Sequence, residues 1–144
     1  MTDMTIDDLK EKMADIDLTM FVTQTEGGKL AGRPMSNNGQ VDAEGDCYFF
    51  CMDDTRTVHD IRARPEVVLC YEGKAGLLGK PPMFVTLQGR AEVIQDRARM
   101  EDHWTPDLEI WFEKGLDTPG IAMLKVRAER LHYWAGRDEG DFVL

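Results

Sequence analysis

Apolar residues along this chain recur with two periods, and the switches between them divide it into elements. Ile6, Leu9 and Met13 fall on one helical face. Thr5 and Asp8 form a capping-box pattern in front of them, predicting an amphipathic helix to about Ile16. Leu18 to Thr25 is β-branched and aromatic and reads as a strand. Gly27-Gly28 supplies a hairpin turn, and Leu30 to Ser36 is the returning strand. Pro34 has no N–H to give a ladder, so this strand lies at an edge or is interrupted. Asn37-Asn38-Gly39 and Glu44-Gly45 mark turns.

The densest pattern runs from Asp46 to Tyr71. Cys47 to Met52 is a continuous apolar run, as a buried strand requires. Asp53-Asp54 stops it, and Asp54 or Thr55 then caps a helix with Val58 and Ile61 inward. Pro65 ends that helix and biases Arg64 towards extended backbone. Val67 to Tyr71 reads as the next strand, and Glu72 to Pro82 as a loop rich in Gly and Pro. From Met83 to Gln95 the pattern alternates. Val85, Leu87, Ala91 and Val93 share one face; Thr86, Gln88, Arg90 and Glu92 share the other; Phe84 and Ile94 are exceptions. Gly89 in the middle predicts a bulge or a close backbone approach. Asp96 caps a helix from Arg97 to about Trp104, and Leu108 to Glu113 forms a second short helical piece. Trp104, Trp111 and Phe112 are packing residues of this helical cap. After a loop at Gly115 to Gly120, Ile121 to Ala128 and Arg130 to Ala135 read as two final strands. The tail from Gly136 is acidic with an apolar end and docks or frays. About six strands with short helices at their ends predict one α+β, mainly β domain over residues 1–144, a small antiparallel barrel. No repeat, GxGxxG loop, P-loop or local Ser/His/Asp motif is present.

Composition narrows the partners. The 144 residues are 42% hydrophobic and 31% charged, ordinary for a soluble domain. A formal charge of -10 argues against a nucleic-acid backbone or an anionic membrane as partner. A small anion is still admissible where arginines cluster. Cys47, Cys51 and Cys70 are odd in number and lie in apolar strands, predicting reduced thiols in a cytoplasmic protein. His59, His103 and His132 lack metal-ligand spacing, so no metal is expected, and His59 reads as a helix-surface residue. The acidic N-terminus predicts no signal peptide, and no apolar run reaches transmembrane length.

One stretch carries candidate chemistry. Thr55, Arg56 and Thr57 open the central helix, where free N–H groups, two hydroxyls and a guanidinium make a phosphate seat. A solvated arginine at a helix start is the alternative that the local sequence allows.

Phe50 to Pro65, FCMDDTRTVHDIRARP, resembles without gaps the flavin-binding stretch of pyridoxamine 5'-phosphate oxidases. There an aromatic-Thr pair ends a strand, Ser-Arg-Lys opens the helix, and proline closes the segment. The matching positions here are Phe50-Cys51, Thr55-Arg56-Thr57 and Pro65. LAGRPMS, Leu30 to Ser36, looks like the strand whose arginine reaches FMN, which makes Arg33 that residue. Its Arg-Pro-Met is typical of the general stress protein 26 branch. RLHYWAG, Arg130 to Gly136, resembles the C-terminal strand whose tryptophan lies near the flavin, here Trp134. The resemblance extends from residue 18 to 136.

It implies an FMN-binding split barrel that forms a homodimer, with FMN in grooves at the subunit interface. The cofactor residues it implies are Arg33, Met35, Ser36, Phe50, Cys51, Thr55, Arg56, Thr57, Phe84 and Trp134. Three departures stand out. Thr57 replaces the phosphate-binding lysine, and Phe84 stands where a glutamine approaches the flavin. Beyond Trp134 the family's substrate-binding Arg-Leu-His-Asp-Arg gives way to Arg137-Asp138-Glu139-Gly140-Asp141, mostly acidic, so vitamin B6 oxidation is not expected. The expectation is a flavin-dependent oxidoreductase with a small-molecule redox substrate. The alternatives are a non-catalytic flavin-binding stress-response protein, or a split barrel that binds haem or deazaflavin. No acid/base pair is visible, so no catalytic residue is assigned.

Overall fold

The computed structural model of the protein describes residues 4–74, 77–79 and 81–144. The expected loop from Glu72 to Pro82 lies partly outside them. Among the described residues, seven antiparallel strands form one curled, split-barrel sheet, with short helices at its ends. The fold class is α+β, mainly β.

Helix α1 (Ile6–Ala14) starts on the predicted capping box: Thr5 accepts from the Asp8 N–H, and Asp8 accepts from the Thr5 N–H. It ends two residues earlier than its apolar pattern suggests. Its last carbonyls are taken by the buried Asn37 side chain, which donates to Met13 O at 2.7 Å and Ile16 O at 2.8 Å. Strands β1 (Leu18–Gln24) and β2 (Leu30–Ser36) form a hairpin across Gly27 and Gly28, both at positive φ (76° and 78°). β2 is an edge strand, which is what Pro34 allows.

Strand β3 (Cys47–Met52) is apolar throughout because both of its faces are covered. Phe49 points into the main core with Phe21, Leu69, Leu87 and Leu131. Phe50 points into a second core with Met100, Leu108 and Ile121. Helix α2 (Arg56–Ala63) closes one end of the main core with Val58 and Ile61. β4 (Glu66–Glu72) and β5 (Met83–Ile94) continue the sheet.

The C-terminal third departs from the sequence expectation. Helix α3 (Arg97–Glu101) is shorter than predicted, and the next piece is a 3-10 turn at Pro106–Ile110. The two expected final strands are one strand, β6 (Ile121–Ala135). The acidic tail pairs with it as β7 (Asp138–Val143), raising the strand number to seven. The polar run Arg127 to Arg130 interrupts the apolar pattern but not the ladder, because a bulge absorbs it. Gly89 pairs with Ala128 and Gln88 with Arg130, so Glu129 is the extra residue. Asp46 Oδ1 accepts the Ala128 N–H at 3.1 Å, satisfying the backbone at the bulge. β6 thus pairs with β5 along its length, while its other edge is divided between β3 and β7. Tyr133 lies over Gly140, its partner across the β6–β7 ladder.

Gly89 marks the tightest backbone approach. A Cβ built there would sit 2.3 Å from Arg127 O, a backbone atom in mid-ladder. Gly89→Ala should therefore cost about 1–3 kcal/mol, lowering the melting temperature by roughly 4–10 °C. Thermal unfolding of both proteins checks this, and an unchanged midpoint would mean that the bulge relaxes freely.

Candidate functional site

The hairpin register sets Arg33 opposite Phe21 at the sheet edge, and the start of α2 comes up beside it. Arg33 Nη1 donates to Thr23 Oγ1 at 2.8 Å and to Phe21 O at 3.2 Å. Its guanidinium is fixed by strand β1, independently of any ligand. Thr55 is the N-cap of α2: its hydroxyl accepts from the Val58 N–H and donates to Met52 O at 2.9 Å. Arg56 follows in the first turn and is 67% exposed.

Beneath both arginines lies a residue that sequence reading passed over. Asp60 is fully buried. Its Oδ2 accepts from Thr23 Oγ1 at 2.9 Å and is 3.8 Å from Arg33 Nη2. Its Oδ1 is 3.8 Å from Arg56 Nε and 4.0 Å from Arg64 Nη2. Burial pulls the Arg33 pKa below its ordinary value; Asp60 opposes this and Arg56 adds to it. The two arginines therefore feel each other's charge. The spacing of Arg56, Asp60 and Arg64 by four residues was a legible signal of ion pairing on one helix face. That this face is buried was not legible, because Val58 and Ile61 already account for the apolar stripe.

The other sequence-predicted residues fall in three places. Met35 lies two residues beyond Arg33 on the same face of β2, partly buried against the main core. Ser36 ends that strand, with its hydroxyl on Asn38 Oδ1 at 3.1 Å. Cys51 lies on the main-core face just before α2, and Thr57 is buried in the first helical turn. Phe50 faces the other way, its ring 5.1 Å from that of Trp104 in an edge-on contact. Phe84 and Trp134 are partners across the β5–β6 ladder, both exposed on the outer face. Cys51 pairs with Ala122 near the start of β6, so Trp134 is twelve residues further along that strand, up to about 40 Å of extended backbone. One chain brings Arg33, Thr55, Arg56 and Thr57 together and leaves Phe84 and Trp134 apart from them.

The arrangement offers two cations, one N-capped helix start and a buried counter-charge, a set suited to a small anion such as a phosphate monoester. Among the described residues no helix is long and apolar enough to cross a membrane, and no group of three or more His, Cys, Asp or Glu residues is placed to hold a metal.

Residues 4–143 match the family model described as pyridoxamine 5'-phosphate oxidase like. A search of the curated proteins found no match. Among solved structures, the chain is similar to a Clostridium acetobutylicum protein related to general stress protein 26 of Bacillus subtilis. Identity is 22% over 96% of this chain and 93% of that one, with a TM-score of 0.77. It is also similar to a general stress FMN/FAD binding protein of Xanthomonas citri, at 20% identity over 96% and 95% of the chains and a TM-score of 0.71. A haem binding protein of Mycobacterium smegmatis gives 14% identity, 99% coverage of this chain, 60% of that one, and a TM-score of 0.78.

The thiols beside the site give a pH test. Burial pushes Cys51 up to about 11, against a hydrogen bond with Thr55, and pushes Cys47 up to about 12. Both hold their proton in the folded state above the ordinary 9.0. Stability is therefore fully present below the unfolded value and is lost as pH rises from about 9 towards 12. Urea unfolding midpoints at pH 8, 10 and 11 should fall in that order, and Cys51→Ala should flatten the fall. An identical fall in both proteins would show that Cys51 has no part in it.

Proposed function

Because the chain belongs to the pyridoxamine 5'-phosphate oxidase-like family, we propose that it is an FMN-binding flavoprotein of general stress type, a flavin-dependent oxidoreductase acting on a small molecule. One observation carries this reading: Arg33 and Arg56 meet over one buried carboxylate at the N-terminus of α2. Arg33, Arg56 and the N-capped first turn would hold the phosphate, and Met35 and Ser36 would border the ring along the β2 edge. Bound FMN supplies the redox chemistry, while the chain supplies position and charge. The Xanthomonas relative described as FMN/FAD binding points the same way. Haem is the weaker alternative, since each histidine is already engaged. His59 pairs with Glu26 at 3.5 Å, and His103 stacks on Tyr48 with ring centres 3.5 Å apart. His132 lies between Glu139 at 2.7 Å and Asp141 at 3.3 Å. An absorption spectrum of the reconstituted protein separates flavin bands from a Soret band. The three cysteines are free, in keeping with a cytoplasmic location as part of the same proposal.

A homodimer completes the reading. Phe84 and Trp134 are the implied ring contacts, yet they lie at the other end of the β5–β6 ladder from the phosphate seat. A second copy could bring its own pair to that seat. The outer sheet face favours this, with Leu18, Met20, Phe84 and Trp134 exposed. An adjoining groove of about 790 Å³ is lined by Met20, Pro34, Cys70 and Met83 among others.

The phosphate seat predicts that FMN binds more tightly than riboflavin. Charge-assisted bonds to the phosphate contribute about 1.5–3 kcal/mol each. Arg56→Ala should remove most of that preference and change the melting temperature of the cofactor-free protein little, because Arg56 is largely exposed. Fluorescence titration of both ligands tests it; equal affinities in the parent protein would refute the seat. For the dimer, light scattering at micromolar concentration should report twice the chain mass of 16.4 kDa. A monomer that still binds FMN would refute the shared site.

A further inference from the structure

Asp60 sits under the phosphate seat without the contacts that a structural ion pair would make. Its side chain is 0% exposed, and Oδ1 accepts no hydrogen bond among the described residues. The three guanidinium contacts around it measure 3.8, 3.8 and 4.0 Å. A charge-assisted bond would measure about 2.7–2.9 Å. Asp60 is near enough to lower the charge of the cluster and too far to saturate its donors. The Arg56 side chain makes no hydrogen bond among the described residues, and the Arg33 guanidinium has only Nη1 so engaged. Arg64 is anchored elsewhere, donating from Nε to Gln24 O at 3.0 Å, while its buried Nη2 makes no hydrogen bond among the described residues. The seat therefore holds arginines with free donors, balanced from below by one carboxylate.

We propose that Asp60 is a built-in counter-anion of this seat: it offsets the guanidinium charge when the seat is empty and opposes an incoming phosphate dianion, keeping cofactor binding weak and exchangeable. The inference rests on the flavin reading above. Two observations favour charge over position as its role. Arg33 is fixed by Phe21 O and Thr23 Oγ1, not by Asp60. Arg56, two-thirds exposed, is not held by a contact of 3.8 Å. Removing the carboxylate charge should alter the field at the seat and leave the arginines in place. The amide of Asp60→Asn keeps an oxygen for the Thr23 hydroxyl while it removes the charge and puts an NH2 group in place of Oδ1.

The test compares cofactor-free parent protein and Asp60→Asn at low salt, each titrated with FMN, riboflavin and inorganic phosphate. FMN affinity should rise about tenfold in the variant, and the gain should shrink as salt is added. Riboflavin affinity should stay within about twofold, since it carries no phosphate. Inorganic phosphate should raise the melting temperature at lower concentration in the variant. Unchanged or weaker FMN binding, or an equal change for both flavins, overturns the role of Asp60. If the parent binds FMN no better than riboflavin, the flavin reading fails on its own. The inorganic phosphate arm then judges Asp60 separately, and no gain there overturns the counter-anion. Should Asp60→Asn fail to fold, Asp60→Asn with Arg64→Gln restores the local formal charge. It should still bind FMN about threefold more tightly than the parent, because Asp60 lies within 4 Å of both seat arginines while Arg64 is anchored on Gln24 O. Equal or weaker binding by that double variant also overturns the proposal.

Discussion

Strand β6 is the constraint on which the rest of this structure depends. The strand is fifteen residues long; from Met123 to Ala135 it pairs with β5 on one edge, and its other edge pairs with two different strands. A strand of that length in a twisted sheet must bend to keep both edges paired. The bend is placed where Glu129 bulges out opposite Gly89, and the carboxylate of Asp46 takes up the Ala128 N–H there. The first half of β6 faces β3 and the helical cap; the second half faces β7 and carries Trp134 to the far end. The division of the protein into two cores follows from this, because β3 is covered on both faces only where β6 supports it. So does the separation of the α2 start from Trp134.

Charge is distributed as unevenly as packing. The chain carries a formal charge of -10, yet Arg33, Arg56 and Arg64 converge on one helix with a single buried carboxylate among them. An anion entering there meets a local field opposite in sign to that of the whole molecule. Arg33 is the least exposed of the three guanidiniums, so solvent screens its charge least. Arg33 holds its position through neutral acceptors on β1, so its charge is not consumed by a close ion pair. A guanidinium bonded closely to Asp60 would have offered a ligand much less.

The elements that were legible in sequence are those whose local chemistry agrees with their tertiary setting. The Thr5–Asp8 capping box, the Gly27-Gly28 hairpin, the edge placement implied by Pro34 and the bulge at Gly89 all have short-range causes. The misses share a different cause. Arg127 to Arg130 breaks the apolar pattern of β6, and only the partner strands reveal that the ladder passes through it. The tail from Gly136 reads as an acidic segment that docks or frays, yet from Asp138 alternate residues point outward from a strand held by Arg130 and His132 against Asp141 and Glu139. Within the candidate site, Arg33, Thr55 and Arg56 were legible as residue types at a helix start and on an edge strand. Asp60 was not, because a carboxylate on a helix reads as solvated until the fold buries it.

Thr57 and Asp60 bear on the same balance in the same direction. The family resemblance places an ammonium at position 57, and this chain has a buried hydroxyl there instead. Two arginines over one carboxylate leave a local surplus of about one positive charge, while a phosphate monoester carries about -1.5 to -2 near neutral pH. A third arginine, Arg64, lies 4.0 Å from the same carboxylate oxygen as Arg56 and offsets part of the difference, but its Nε is committed to Gln24 O. A flavin phosphate in this seat would therefore be incompletely neutralised, and the remainder would fall to the helix N-terminus and to solvent. The seat is built for attraction that solvent and salt can compete with. A lysine in place of Thr57 would need to displace buried atoms to reach the same phosphate. The neutral residue at 57 and the buried carboxylate at 60 are thus two parts of one electrostatic arrangement, each lowering the positive charge that the proposed seat would present to an anion.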